Sequence, residues 1–340
     1  MQSYFYRAYG LRIQSNSIVY GFCPDLTPCE PSDLLLEISP EPPAWFRERE
    51  TSVSVIRYKQ AAVPETADPA YTLTVWGSDQ YFELTYADGA RFVIDADASR
   101  VWGQCPPLAA EDVEVYLRGP ILGFVLRRRG EAALHACAVS VSGESIVLCG
   151  PSESGKSTTA AALALQGAAV LCDDITALHE TNSGFCVQSG YPRICLWPDV
   201  VEHLFGAPDA LPRLTSTWEK RFLPLDGVKA KFETTGRPLG IVYLFAPRAS
   251  DGRAPRVEEL SGRQALLELV QNTYMNWLLD RERRAAEFDI LTRLVMNVPV
   301  RRIVPHSDPH QIDALCDLIR DDFKRIAAAG SRTKILASRP

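Results

Sequence analysis

The segment from Gly150 to Ser157 reads G-P-S-E-S-G-K-S, which fits the motif G-x-x-x-x-G-K-[ST]. An apolar run at residues 145–149 precedes the motif and predicts a buried strand. The alanine-rich residues 157–166 that follow predict a short helix, which Gly167 closes. A strand, a glycine-containing loop and a helix in this order surround an anionic phosphate with backbone N–H groups at the positive end of the helix. The segment therefore predicts a site for nucleotide phosphates.

The residues of this loop have expected roles in such a site. Lys156 would reach the outer phosphates and the Ser157 hydroxyl would bind Mg²⁺, so we expect ATP or GTP with magnesium. Glu153 stands where many such loops carry glycine, and its carboxylate is unfavourable near phosphates unless it points outward or meets a cation. The predicted nucleotide-binding residues are Gly150, Pro151, Ser152, Glu153, Ser154, Gly155, Lys156, Ser157 and Thr158.

Composition and charge limit the class of partner. The 340 residues are 46% hydrophobic and 23% charged, as in globular chains long enough for two domains. A net charge of -6 argues against sequence-independent binding to nucleic acid or to an anionic membrane. No apolar run approaches the ~20 residues of a transmembrane helix, and the first ten residues do not resemble a signal peptide. We expect a cytoplasmic protein whose substrate is a protein, a peptide or a small molecule.

The sequence pattern divides the chain into four parts. Residues 1–107 contain short alternating runs and predict a mostly antiparallel β domain, for which we expect a role in binding substrate. Residues 108–130 have helical periodicity broken near Pro120, so they predict a connector of two helical pieces. Residues 131–330 combine strand and helix patterns around the motif, and predict an α/β domain with a mixed sheet. Residues 331–340 predict a flexible tail.

Two adjacent acids, Asp173 and Asp174, end the apolar run that follows the predicted helix. A carboxylate at this place can hold the magnesium shell or take a proton from an incoming hydroxyl, and both roles are needed in phosphoryl transfer. Adjacent like charges raise one of the two pKa values. The alternative is a structural role in a turn or at a helix start. His135 begins the strand pattern that leads into the motif, so its ring is either a site residue or an ordinary polar residue of a strand.

Three segments resemble the catalytic domain of HPr kinase/phosphorylase, a bacterial serine kinase family related to the PEP carboxykinases. They are residues 134–139, the motif itself and residues 170–174. The resemblance covers residues 133–196. It implies an α/β P-loop domain of the HPr-kinase and PEP-carboxykinase type with a mixed sheet, preceded here by a smaller β-rich domain.

The resemblance also implies roles for individual residues. His135 corresponds to the active-site histidine, Lys156 and Ser157 to the phosphate and magnesium residues, and Asp174 to the proton acceptor. The family carries a magnesium-binding glutamate and an arginine after the two acids, whereas only Arg193 is kept here.

Other residues have to replace what the family pattern lacks. Asp173 is our candidate for the missing magnesium ligand, beside Ser157. Lys220 and Arg221, with Arg193, are candidates for the cation that neutralises charge on the transferred phosphoryl group, or they are solvated basic residues.

Over more of its length the chain resembles the HPr-kinase-like proteins of lasso-peptide gene clusters. The similar segments are residues 9–11, 190–198 and 220–225. Such proteins phosphorylate a serine at the C-terminus of the precursor peptide, so the resemblance implies an ATP- and magnesium-dependent serine kinase for that peptide. A homo-oligomer is compatible with this expectation. Two alternatives stay open: a nucleotide-binding scaffold or sensor that has lost catalysis, and a kinase for a small metabolite.

Overall fold

The computed structural model describes residues 2–25, 31–47, 54–60, 71–76, 80–104, 110–216 and 218–337. Contacts divide the chain into two compact units. The first consists of Met1–Glu131, Arg213–Glu219 and Trp277–Leu279, and the second of Ala132–Pro212, Lys220–Asn276 and Asp280–Pro340. The first unit therefore includes residues 108–130, which the sequence pattern set apart as a connector.

Alternating apolar and polar residues form the strands of the first unit, as in Tyr71–Trp76, where every second residue is buried. The described strands are β1 (Tyr4–Ala8), β2 (Leu11–Ser15), β3 (Cys23–Pro24), β4 (Leu34–Ile38), β5 (Ser54–Gln60), β6 (Tyr71–Trp76), β7 (Tyr81–Tyr86), β8 (Arg91–Asp95) and β9 (Arg100–Gln104). They form one sheet in the order β3-β1-β2-β4-β9-β8-β7-β6-β5. Neighbours are antiparallel except β2 with β4 and β4 with β9, which are parallel.

The helices of the first unit include a stretch that the sequence predicted as two separate pieces. They are α1 (Ala44–Arg47), α2 (Ala110–Tyr116) and α3 (Leu122–Arg128), and a π-helical turn at Leu117–Ile121 joins α2 to α3. Pro120 lies in that turn. Because proline lacks an N–H group and clashes with the preceding turn, the helix widens at this point instead of ending. Phe124 of α3 is fully buried, with its ring centroid 5.3 Å from that of Phe82.

The described residues of the second unit form a nine-stranded mixed sheet and a separate two-stranded ribbon. The strands of the sheet are β10 (Ala132–Val141), β11 (Glu144–Cys149), β12 (Ala169–Cys172), β13 (Ile175–Thr181), β14 (Gly184–Val187), β17 (Lys231–Phe232), β18 (Arg237–Phe245), β19 (Arg256–Glu259) and β20 (Val300–Val304). Their order is β17-β12-β10-β13-β14-β18-β20-β19, and β11 pairs with β10 and β18. The ribbon consists of β15 (Arg193–Leu196) and β16 (Arg221–Pro224).

Strand directions bring distant parts of the chain to one edge of this sheet. Both β11 and β12 are antiparallel to β10, whereas β18 is parallel to β11 and β20 is parallel to β18. The strands β11, β12, β18 and β20 therefore run in the same direction, and we call the edge at which they end the carboxyl edge. The first half of β10 reaches the same edge, since Ala136 pairs with Cys149 at the end of β11. Ligands of open α/β sheets bind at such an edge.

The helices of the second unit are α4 (Lys156–Leu165), α5 (Pro198–Phe205), α6 (Gly262–Gln271), α7 (Arg281–Asn297) and α8 (Ile312–Ala337). Alanines of α4 pack on the sheet beside Val139, Ile146 and Tyr243, where their small side chains allow a close approach. The helix α8 includes residues 331–337 of the segment for which the sequence predicted a flexible tail. Among the helices that are described, none is both long enough and apolar enough to cross a membrane.

Candidate functional site

The loop between β11 and α4 requires glycine at both of its ends. A Cβ atom on Gly150 would lie 3.0 Å from the Cβ of Phe245 and 3.1 Å from Ser154 Oγ, so a side chain has no room there. Gly155 has φ of 100° and precedes the first residue of α4, and this backbone conformation is strained for other residues. The loop therefore passes tightly over the end of β11 and presents the N-terminus of α4.

Glu153 also has a left-handed backbone, with φ of 63°, which explains why other loops of this type carry glycine here. The conformation costs about 1–2 kcal/mol in a residue with a side chain. Glu153 is exposed. This agrees with the expectation that its carboxylate must point outward, away from the phosphates. Inside the loop, Ser154 Oγ is buried and has no hydrogen-bond partner among the described residues.

Lys156 is 5% exposed, and its Nζ donates a hydrogen bond to the carbonyl oxygen of Pro151 at 2.7 Å. An ammonium group has three N–H donors, so two remain for other acceptors. The loop thus holds one buried positive charge beside the helix N-terminus, an arrangement that suits a phosphate.

Asp173 is buried directly behind the loop, with 2% exposure. Its Oδ1 accepts hydrogen bonds from Ser157 Oγ at 2.8 Å and from Cys137 Sγ at 2.9 Å, and its Oδ2 accepts one from the backbone N–H of Cys195 at 2.8 Å. Burial raises the pKa of Asp173 and outweighs these hydrogen bonds, which lower it. The first acid is therefore a fixed acceptor, joined to the loop through Ser157.

Asp174 has a different environment from its neighbour. Its side chain is 45% exposed, and its Oδ1 lies 3.3 Å from His135 Nε2. Burial alone would raise the pKa of Asp174, but the hydrogen bond and charge of His135, with the charges of Lys220 and Lys156, outweigh it and lower the pKa. The second acid is therefore an accessible carboxylate that stays ionised at neutral pH.

The three cations that the sequence predicted as candidates, Arg193, Lys220 and Arg221, lie on or beside the ribbon of β15 and β16. The guanidinium of Arg193 lies 4.4 Å from the ring centroid of Phe222, and Arg221 is 8% exposed at the start of β16. The ammonium of Lys220 lies 4.9 Å from the ring centroid of Trp197. The charge of Lys220 is among the largest influences that lower the pKa of Asp174.

A pocket of about 250 Å³ lies beside the loop at the carboxyl edge. Its lining includes Thr158 of α4 and three residues that the sequence reasoning missed, Arg248, His306 and Asp308. Arg248 follows β18, and His306 and Asp308 follow β20. The signal that could have found them is their position after strands parallel to β11, but this parallel pairing is not visible in the sequence.

The donor atoms at Ser157 and Asp173 fit magnesium. Within the part of the chain that the structure describes, no group of three or more His, Cys, Asp and Glu side chains is arranged to hold a metal ion. Magnesium usually takes one or two protein oxygens, with phosphate oxygens and waters completing its shell. A hydroxyl and a carboxylate 2.8 Å apart behind a phosphate-binding loop offer such oxygens.

No protein-family model matches the chain, and no curated protein matches it. Among solved structures, the chain is similar to the Hpr(Ser) kinase/phosphatase from Coxiella burnetii, with a TM-score of 0.33 and 14% sequence identity. The similarity covers 61% of this chain and 99% of that chain. A TM-score at this level does not establish a common fold.

Proposed function

We propose that this chain is an ATP- and magnesium-dependent phosphotransferase that moves the γ-phosphate of ATP to a hydroxyl group. The observation that carries the proposal is the difference between the two acids next to the loop. Asp173 is buried and bonded to Ser157, whereas Asp174 is accessible and paired with His135. Phosphoryl transfer needs one carboxylate near the metal and another near the acceptor.

The loop and the first acid would bind the phosphate donor. Backbone N–H groups of Gly150 and of residues 152–157, with the ammonium of Lys156, would contact the β- and γ-phosphates, and Ser157 with Asp173 would hold Mg²⁺. When bound, the ion supplies positive charge that offsets the charge developing on the phosphate oxygens. The remaining nucleotide contacts are proposed for Pro151, Ser152, Glu153, Ser154 and Thr158.

The second acid would act on the acceptor. Asp174 takes the proton of the acceptor hydroxyl while the acceptor oxygen bonds to the γ-phosphorus and the bond to the bridging oxygen of ADP breaks. His135 is a positioning residue in this proposal, because its Nε2 faces Asp174 Oδ1 and favours the ionised carboxylate. Lys220 would stabilise the transferred group, and Arg193 and Arg221 are proposed for the same task.

We further propose that the acceptor is a serine hydroxyl at the C-terminus of a lasso precursor peptide. The support for this class is the resemblance of the sequence motifs, together with the exposure of Asp174. A flexible chain end reaches an accessible carboxylate without unfolding a partner. The ammonium of Lys220, whose charge reaches Asp174, would attract the terminal carboxylate of the peptide.

The test is to incubate the protein with ATP, Mg²⁺ and a precursor peptide that ends in serine, and to locate the added phosphate by mass spectrometry. We expect one phosphate on the terminal serine, and none on a matched peptide that ends in alanine. Phosphate on a small metabolite or on a tyrosine would refute the proposed acceptor class but agree with the proposed phosphotransferase activity. Nucleotide binding without transfer to any acceptor would indicate a scaffold or sensor.

A further inference from the structure

The pocket beside the loop is separate from the residues proposed for chemistry. Ser154, Gly155 and Thr158 contribute to its lining, whereas His135, Asp173 and Asp174 do not. A ligand in the pocket would therefore contact the same helix N-terminus as the phosphates without approaching the two acids. This arrangement suits a molecule whose phosphates lie on the loop and whose other end lies in the pocket.

The pocket combines an apolar surface with a few polar groups, which is typical of small-molecule sites. Its apolar lining comes from Val200 of α5, Phe245 at the end of β18, Pro305 after β20, and Ile312 and Leu315 of α8. The volume of about 250 Å³ is close to the lower end of the roughly 300–1,000 Å³ found for ligand pockets. A flat, partly apolar group of the size of a nucleoside fits these properties.

The polar groups of the pocket match those of a ribose and a base. The backbone N–H of Asp308 donates to His306 Nδ1 at 2.9 Å, so a neutral His306 carries its proton on Nε2 and can donate it to a ring nitrogen or a ribose oxygen. The carboxylate of Asp308 accepts from the backbone N–H of His310 at 3.0 Å and has lone pairs left for a ribose hydroxyl.

Two further groups lie where the pocket meets the loop. Arg248 Nη2 lies 3.5 Å from the position that a Cβ on Gly155 would occupy, and Arg248 is exposed. Ser154 Oγ is buried without a partner among the described residues, and buried hydroxyls normally have one. Phosphate oxygens between the loop and the pocket would give both groups a partner.

We propose, building on the proposed function, that this pocket binds the nucleoside of the phosphate donor and that Arg248 binds its phosphate chain. The donor is then a nucleoside triphosphate and not an inorganic polyphosphate. The loop alone would not make this distinction, because its contacts are limited to phosphate groups.

The test compares two probes by calorimetry, the imido analogue of ATP and inorganic tripolyphosphate, each with Mg²⁺. Val200→Trp fills the pocket, and we expect roughly a tenfold loss of affinity for the analogue with tripolyphosphate unchanged. His306→Ala removes one neutral hydrogen bond, so about a fivefold loss for the analogue alone is expected. Arg248→Ala should weaken both probes. Arg253→Ala is the matched control, since this arginine lies in the same connection between β18 and β19 with 81% of its side chain exposed.

Thermal melts establish whether each variant is folded. If Val200→Trp does not fold, the affinities of His306→Ala test the pocket assignment. Wild-type affinity for the analogue in both variants would overturn the proposal. Equal losses for the analogue and tripolyphosphate in His306→Ala would do the same. A protein that binds the analogue through the pocket but transfers no phosphate would refute the proposed function and leave the pocket assignment standing. Equal transfer rates from tripolyphosphate and ATP would refute the pocket assignment and leave the phosphotransferase standing.

Discussion

Cys137 Sγ lies 2.9 Å from Asp173 Oδ1, the carboxylate oxygen that also accepts the hydrogen bond of Ser157. Burial, followed by the charge of Asp173, raises the pKa of Cys137 well above its ordinary value, so the thiol keeps its proton and remains a donor. Its hydrogen bond lowers the pKa of Asp173 against the effect of burial. We therefore regard Cys137 as a positioning residue whose hydrogen bond favours the ionised form of Asp173.

Cys137→Ala removes this donor, so the pKa of Asp173 should rise. If the ionised form of Asp173 is required for magnesium binding, the acid limb of the pH–rate profile moves to higher pH and more Mg²⁺ is needed for half-maximal rate. Cys137→Ser keeps a donor and should restore both values toward wild type. Identical pH profiles for the alanine variant and wild type would show that the thiol has a packing role only.

Substitutions of the two acids should have different consequences. Asp174→Asn should leave nucleotide binding nearly unchanged and lower the transfer rate by roughly 10²–10⁴, the effect of a lost general base. Asp173→Asn should raise the magnesium requirement, because a neutral amide replaces the carboxylate that is proposed to hold Mg²⁺ with Ser157. The measurements are single-turnover rates and magnesium titrations, and exchanged phenotypes would reverse our assignment of the acids.

His135→Ala should move the acid limb of the pH–rate profile to higher pH, because the largest contribution that lowers the pKa of Asp174 is the hydrogen bond from His135. The folded-state pKa of Asp174 is below its ordinary value, so the pair stabilises the fold at neutral pH. This contribution is lost as the pH falls through the folded-state pKa. Thermal melts over this range supply the second readout. A variant that unfolds at neutral pH would indicate a core role for His135.

Lys156→Ala should abolish measurable transfer, because the loop loses its single lysine and the β- and γ-phosphates lose its charge. We expect a reduction of at least roughly 10²–10³. Lys229→Ala is the control, since Lys229 is exposed and its ammonium lies over the ring of Phe205. Comparable rates for Lys156→Ala and wild type in steady-state assays would contradict phosphate binding by this loop.

Asp322→Ala should destabilise the second unit by about 2–3 kcal/mol. The carboxylate is fully buried and accepts hydrogen bonds from Tyr243 Oη at 2.9 Å and from Arg301 Nη1 at 2.7 Å, so its removal leaves a buried hydroxyl without this acceptor. The neighbouring exposed acid Asp321 provides the control, for which a change within roughly 0.5 kcal/mol is expected. Denaturant unfolding followed by far-UV circular dichroism measures both.

The sequence predicted those secondary-structure elements that depend on residues close together in the chain. The strand before the loop and the helix after it were predicted to within one residue of Glu144–Cys149 and Lys156–Leu165, because hydrophobic periodicity and glycine determine them locally. The π-helical turn at Pro120 was not foreseen, since packing allowed the helix to continue past the proline. Arg248 and Asp308 reach the loop only through the parallel pairing of β11, β18 and β20, which no local pattern specifies.

The contact that Cys137 makes and the charge interaction of Lys220 with Asp174 could not be predicted for a related reason. The sequence showed a cysteine in an apolar strand and a basic pair, and both patterns are common in positions without function. What distinguishes Cys137 is the carboxylate across from it, and Lys220 contributes a charge that lowers the pKa of Asp174. Cys137 and Asp173 are 36 positions apart in the chain, and Asp174 and Lys220 are 46 positions apart. Both relationships are therefore tertiary.

The ten-residue strand β10 carries His135 and Cys137 on one face, and it pairs with β11, β12 and β13. A slip of one residue in its pairing would turn both side chains to the opposite face. The contacts to Asp173 and Asp174 would then be lost together with three strand interfaces. Misfolded chains should consequently be inactive and unstable at the same time, instead of forming a stable enzyme with altered chemistry. Selection for activity would in this way also select for correct folding of the whole sheet.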